Sequence, residues 1–295
     1  MNWLLILPAI LVLAAIGIWL IVKFLPGEAK RRLSNVGNDA LWWSEKRGLF
    51  KKNVPTFRTD FQSDYPELKQ LDRHFSDIQH DCLRLLVIKD HLIDAGALGG
   101  EYTRGGIYTA DWKTFVLKWG NSFVDENCAL CPKTHEHLAA VPGIFNAFFS
   151  VLDANQYIKP HQGYYKGFIR YHLGVVIPGD NQDNTCNIRI NDDIADNKAA
   201  RNSNYAENEV RLDEGGAVYH WKNGESVLFD DTFLHDATND SDEVRVVLYM
   251  DIVRKMPFYM HWINTIVLWF VFREPSIKSV RKNSVVAVRR NDSGT

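Results

Sequence analysis

The chain opens on an unbroken apolar run. Asn2 to Val22, NWLLILPAILVLAAIGIWLIV, contains no charged residue and matches the roughly 20 residues that cross a hydrocarbon core as a helix. Pro8 sits near its start, where a proline costs a helix least. The basic leader, short apolar core and small-residue cleavage site of a secretory signal are lacking. Residues 2–24 therefore read as a retained transmembrane anchor. Lys23, Lys30, Arg31 and Arg32 follow the run and no Lys or Arg precedes it. The positive-inside rule then predicts a single-pass protein whose main domain faces the cytoplasm. Residues 25–75 are mixed and polar and read as a connector. From Phe75 to Leu98 apolar residues recur at helical spacing (Ile78, Cys82, Leu85, Leu86, Ile88), and His135 to Val141, between Pro132 and Pro142, reads as a second helix.

Beyond Phe145 the period shortens. FNAFFSVLD, GFIRYHLGVVIP, CNIRI, AVYHW, SVLFD, FLHDAT and EVRVVLYMDI read as short strands punctuated by Gly, Asn, Asp and Pro. Many short strands with turn signals predict a β-sandwich or barrel, with a core over 145–254 inside a domain over 76–257. Residues 191–216 are rich in Asn, Asp and Ala and read as a long inserted loop. A second apolar run, Met256 to Phe272, is short for a span and carries His261 and Asn264. Its aromatic content suits a membrane-associated helix over 258–272, and a helix packed on the domain is the alternative. The tail over 273–295 holds six basic residues against two acidic ones. That balance suits an anionic lipid surface or a solvated tail.

Composition adds limits. The net charge of −2 gives no reason to expect nucleic acid, and a mean hydropathy of −0.23 excludes a polytopic membrane protein. Four cysteines are too few for a disulfide framework. The lone C-x-x-C at Cys128 and Cys131 falls short of the four ligands of a structural zinc site, so reduced thiols are expected. Oligomeric state is not legible.

Three side chains in the β-rich half suggest chemistry. His161 and His235 fall where strands end. Arg245 lies inside the apolar run VRVVLYMDI and must pair with something; Asp230 and Asp251 are candidates, and so is a carboxylate ligand, which a guanidinium grips with two hydrogen bonds. Each alone is weak, since single strand histidines are commonly structural. Together, two imidazoles and one Arg are the ingredients of a non-haem iron site.

The order of motifs carries more. RYHLGVVIP, then C-x-I-x-I, then W-x-x-G-E-x-x-x-F-D-D-x-x-x-H, then R-V-V-L-Y-x-D resemble the aspartyl/asparaginyl β-hydroxylase family over roughly Trp112 to Pro257. WKTFVLKWG and ALCPKT resemble its lipid A acyl-chain 2-hydroxylase branch. The resemblance implies a mainly β fold, a double-stranded β-helix (jelly roll) with flanking helices. It implies Fe(II) held by His161 and His235, with 2-oxoglutarate and O₂ as cosubstrates. It assigns the 2-oxoglutarate carboxylate to Arg245, with Arg170, His172 and Ser150 supporting it. It implies C–H hydroxylation of a membrane lipid acyl chain; a peptide Asp/Asn hydroxylase and an inactive jelly-roll binding module are the alternatives. One departure stands out. Many such sites read H-x-D or H-x-E, whereas this chain reads H-Q-G, so Gly163 supplies no carboxylate and leaves room for water or a halide.

Overall fold

The structure is a computed structural model, and it describes residues 27–49, 56–88, 92–98, 110–163, 165–191, 193, 197, 216–271 and 275–286. The expected anchor over 2–24 and most of the loop over 191–216 lie outside these residues. Among them, no helix is long and apolar enough to cross a membrane.

The fold is mainly β and antiparallel. Its strands are β1 (Phe57–Arg58), β2 (Ile93–Asp94), β3 (Trp112–Trp119), β4 (Ser122–Phe123), β5 (Ile144–Leu152), β6 (Gln156–His161), β7 (Phe168–Val176), β8 (Cys186–Asn191), β9 (Ala217–His220), β10 (Ser226–Phe229), β11 (Leu234–Asn239) and β12 (Arg245–Val253). A large sheet has the order β1-β10-β7-β12-β5-β3-β2, with β4 on β3, and a small sheet has the order β6-β11-β8-β9. From β5 onward the chain shuttles between them, with β5, β7, β10 and β12 in the large sheet and β6, β8, β9 and β11 in the small one. This alternation is jelly-roll-like.

The central strands β7 and β12 are buried on both faces, so their sequences read as nearly continuous apolar runs. Ile169, Tyr171, Leu173 and Val175 of β7, with Val246, Leu248, Met250 and Ile252 of β12, point to an outer core. The alternate residues point inward, where Val247 packs with Ile158, Ile188 and Ile190 of the small sheet. That inward set holds Arg170, His172 and Arg245. The glycine of RYHLGVVIP has a steric reason. A Cβ on Gly174 would lie 2.1 Å from the Lys222 carbonyl, because β7 and the turn before β10 exchange backbone bonds there.

Seven α-helices are described: α1 (Gly27–Lys46), α2 (Lys69–Arg73), α3 (Phe75–Val87), α4 (Asp125–Cys128), α5 (Pro132–Ala139), α6 (Phe258–Val271) and α7 (Pro275–Asn283). The helix expected over 75–98 stops at Val87. Ile78, Cys82 and Leu85 are buried, but Val87 and Ile88 are exposed and Ile88 is not helical (φ −111°, ψ 82°). The helix expected over 135–141 is α5, which begins at Pro132, where a proline's missing N–H costs nothing. Residues expected as a connector build core: Trp42, Phe61, Tyr65, Leu68 and Leu71 are all buried. Pattern reading overlooks β6 because it contains Pro160. As the edge strand of the small sheet, β6 tolerates a residue without an N–H.

After β12, α6 has two distinct faces. Met260, Asn264 and Leu268 form a buried stripe, and Phe258, Tyr259, Trp262, Ile263, Ile266 and Trp269 face outward. Part of the tail is folded as α7, held by buried Ile277 and Val280, with Lys278, Arg281 and Lys282 exposed.

Candidate active site

Because β6 and β11 are antiparallel neighbours, the end of one meets the start of the other, and His161 and His235 fall opposite each other in register. Their ring centroids lie 4.1 Å apart. Each Nδ1 is bonded to a carbonyl two residues earlier, His161 to Lys159 O at 2.8 Å and His235 to Phe233 O at 2.9 Å. A carbonyl only accepts, so each Nδ1 carries the proton and each Nε2 keeps its lone pair for a metal. Burial lowers the His161 pKa to about 4. It takes His235 well below its usual value, with His161 and Arg170 adding to the effect. Both rings are thus in the neutral, ligating form at neutral pH.

Gly163 is tightly enclosed. Its N–H donates to the Asp231 carbonyl at 2.6 Å, and a Cβ there would fall 1.8 Å from Asp231 Oδ2. The Asp231 carboxyl, four residues before His235, fills the space that a side chain at position 163 would take. Burial pushes the Asp231 carboxyl up to about 7; Arg170 pulls it down, and Asp251 and Asp230 push it further up.

Arg170 and Arg245 have different surroundings. Arg170 Nη2 pairs with Asp231, its Nε binds Asp251 Oδ1 at 2.8 Å, and its guanidinium lies 4.0 Å from the Tyr249 ring centre. Arg245 is 1% exposed and stacks 4.6 Å from the Trp221 ring centre. Its Nε and Nη2 have no hydrogen-bond partner. Asp230 is held by Lys166 and Arg254, and Asp251 by Arg170 and Asn146, so neither candidate neutralises Arg245. Burial lowers its pKa to about 10. His172 is buried nearby with both ring nitrogens unpartnered, and burial, then Arg170 and Arg245, hold it neutral. Ser150 Oγ accepts from Trp112 Nε1 at 2.9 Å and lies opposite Val247 of β12.

Ring contacts join these residues into one site. Arg245 touches Trp221, Trp221 lies 5.9 Å from His172, His172 4.9 Å from Phe229, and Phe229 6.0 Å from His235. The structure therefore brings together His161, His235, Arg245 and His172, and directs Arg170 to the chain's own carboxylates. Sequence reading missed Asp231 and Trp221, although both stand inside the W-x-x-G-E-x-x-x-F-D-D-x-x-x-H motif.

The profile of the aspartyl/asparaginyl β-hydroxylase family matches residues 72–201 and 202–255. The chain belongs to this family. The family region takes in every residue of the site just described. An ornithine lipid ester-linked acyl 2-hydroxylase of Rhizobium tropici is 29% identical over 80% of this chain and 74% of its own length. The aspartyl/asparaginyl β-hydroxylase of Mus musculus is 27% identical over 77% of this chain, which spans only 28% of that relative. Among solved structures, a prolyl hydroxylase from Trichoplax adhaerens aligns at a TM-score of 0.39 and 10% identity, over 78% of this chain and 94% of its own. In this β-hydroxylase family member the four cysteines are free and buried, and burial raises the thiol pKa of each.

Proposed function

We propose that the protein is an Fe(II) and 2-oxoglutarate dependent hydroxylase of a membrane-lipid acyl chain. The observation that carries this reading is the buried, anion-free guanidinium of Arg245 in the same inter-sheet space as two neutral histidines. A fully buried cation without a counter-charge is costly, and a carboxylate ligand supplies that charge with matching two-point geometry. His172, with two unpartnered nitrogens, stands ready for the same ligand. The donor set suits the metal as well, since paired Nε2 atoms favour a borderline divalent cation and leave coordination positions open.

When bound, Fe(II) with 2-oxoglutarate and O₂ supplies the oxidising power for C–H hydroxylation, with succinate and CO₂ as coproducts. The chain does the rest. The Lys159 and Phe233 carbonyls fix the imidazole tautomers. Arg245 and His172 would hold the cosubstrate carboxylate, with Ser150 bordering the same face. Arg170, clamped by Asp251 and stacked on Tyr249, holds the Asp231 carboxyl against Gly163. Trp221, Phe229 and Val247 exclude water.

Several features support a lipid as the substrate. The Rhizobium tropici relative is named for a lipid acyl chain. The segment after His161 is held on one side by α1, where Asn38 accepts from the Lys166 N–H at 2.8 Å. On the other it is held by α6, where Asn264 donates to the Gly167 carbonyl at 3.0 Å. The α6 helix turns its outer aromatic stripe to the surroundings beside that segment, and α1 follows the apolar run Asn2 to Val22. An acyl chain would reach the metal from the bilayer side, with the domain on the cytoplasmic face. The test is mass spectrometry of membrane lipids incubated with the protein, Fe(II), 2-oxoglutarate and O₂. A lipid gaining one oxygen, dependent on both cofactors, is expected. Hydroxylation of Asp or Asn in peptides, with no lipid change, would transfer the assignment to the peptide reading.

A further inference from the structure

A second cluster of ligating side chains lies away from His161 and His235. His74 precedes α3, Asp77 sits in its first turn and His137 lies near the end of α5. Both helices pack on the outer face of the large sheet through Ile78, Cys82, Leu85 and Leu138, whereas the His161–His235 pair belongs to the small sheet beyond its inner face. We propose that His74, Asp77 and His137 form a separate site for a borderline divalent cation of the Zn²⁺ class, clipping α3 to α5.

The distances suit such an ion. His137 Nε2 lies 2.8 Å and His74 Nδ1 3.9 Å from the same oxygen, Asp77 Oδ2. All three donor atoms lie within 4.8 Å of one another. Ligand bonds of about 2.0–2.2 Å around a tetrahedral ion separate donor atoms by roughly 3.3–3.5 Å, a spacing that the two distances bracket. The His74 and His137 rings are stacked, with centroids 4.1 Å apart and planes 10° apart, a contact that two imidazolium charges would oppose. His74 is exposed and free to rotate its Nδ1 toward the ion, while His137 is buried and already aimed. The charge balance is permissive. Lys133, the nearest cation on α5, is occupied by Glu136 at 2.9 Å, and Asp81 lies one helical turn beyond Asp77, bound to Thr134. On binding, the ion would sit between His137 Nε2 and Asp77 Oδ2, the imidazole carrying its ring proton on Nδ1 instead, and an open position would remain for water.

Asp77 and His137 are 60 residues apart in sequence, so the ion would close a long loop and its binding should register in stability. The experiment titrates Zn²⁺ into the full chain carrying His161→Ala and His235→Ala, by calorimetry and thermal melting. One equivalent is expected, with a raised melting temperature. Adding His74→Ala and His137→Ala should abolish both. If the first pair of substitutions impairs folding, the unsubstituted chain serves instead, and His74→Ala with His137→Ala should lower its Zn²⁺ stoichiometry from two to one. Unchanged stoichiometry on losing His74 and His137, or no binding by a folded chain that retains them, would overturn the proposal.

Discussion

Replacing Arg245 with Met separates a ligand-binding role from a structural one. Arg245 is 1% exposed and stacks on the Trp221 ring, so a flexible apolar side chain of similar length fills much of the space. An unpaired buried charge contributes no stability of its own. Exchanging buried charge for packed apolar atoms is commonly neutral or stabilising, by about 1–4 kcal/mol. The ligand-free variant should therefore melt no lower than the parent. Cosubstrate binding should respond in the opposite sense. Truncating one partner of a buried charge pair costs about 2–5 kcal/mol; at about 1.4 kcal/mol per decade this is a rise of roughly 30-fold to several thousand-fold in the 2-oxoglutarate requirement. Two assays read this out: steady-state kinetics against 2-oxoglutarate, and melting with and without 2-oxoglutarate in the presence of Mn²⁺. The parent should gain melting temperature with cosubstrate and the variant should not. A variant that melts well below the parent while its KM for 2-oxoglutarate is unchanged would make Arg245 a structural residue and refute the reasoning.

Other outcomes follow from the same site. His161→Ala and His235→Ala should each abolish metal-dependent turnover while circular dichroism stays native, and unchanged metal affinity in both would disprove the ligand assignment. Gly163→Ala should be strongly damaging because of the Asp231 carboxylate 1.8 Å from the added methyl; in a double-mutant cycle, Asp231→Ala should relieve part of that cost, and strict additivity would argue against the contact. His161 has a folded pKa of about 4 against an ordinary 6.5. The folded apo protein therefore binds fewer protons than the unfolded chain between those values, and stability should fall as pH drops from 6.5 toward 4; the slope should shrink in His161→Gln. Glu45→Ala breaks a buried network in which Glu45 bonds Lys166 and Arg254, each at 2.9 Å. It should cost about 3–5 kcal/mol in denaturant titrations, and far more than Glu136→Ala at the exposed surface.

The sequence by itself determined the mainly β class of fold and the succession of the strands from β5 to β12 apart from β6, and it singled out the two histidines and the arginine as candidates. It did so because alternation and β-branched runs are local signals, and because the motif spacing repeats that of a whole family. Edge strand β6 escaped because Pro160 is a local strand-breaker, and only its place at the sheet edge makes it harmless. The region 25–75 read as a connector because its buried residues, Phe61, Tyr65, Leu68 and Leu71, are spread among polar ones and become core only when folded over the large sheet. The partners of charged groups are likewise invisible along the chain. Arg170 and Arg245 stand in similar apolar strands, and either could have taken Asp230 or Asp251. Tertiary packing gave Asp251 and Asp231 to Arg170, gave Asp230 to Lys166 and Arg254, and left Arg245 with an aromatic ring and no anion. Pairing of buried charges is decided by which side chains converge within a few ångströms, and that convergence joins residues such as Glu45 and Arg254, 209 positions apart, which no local pattern can connect.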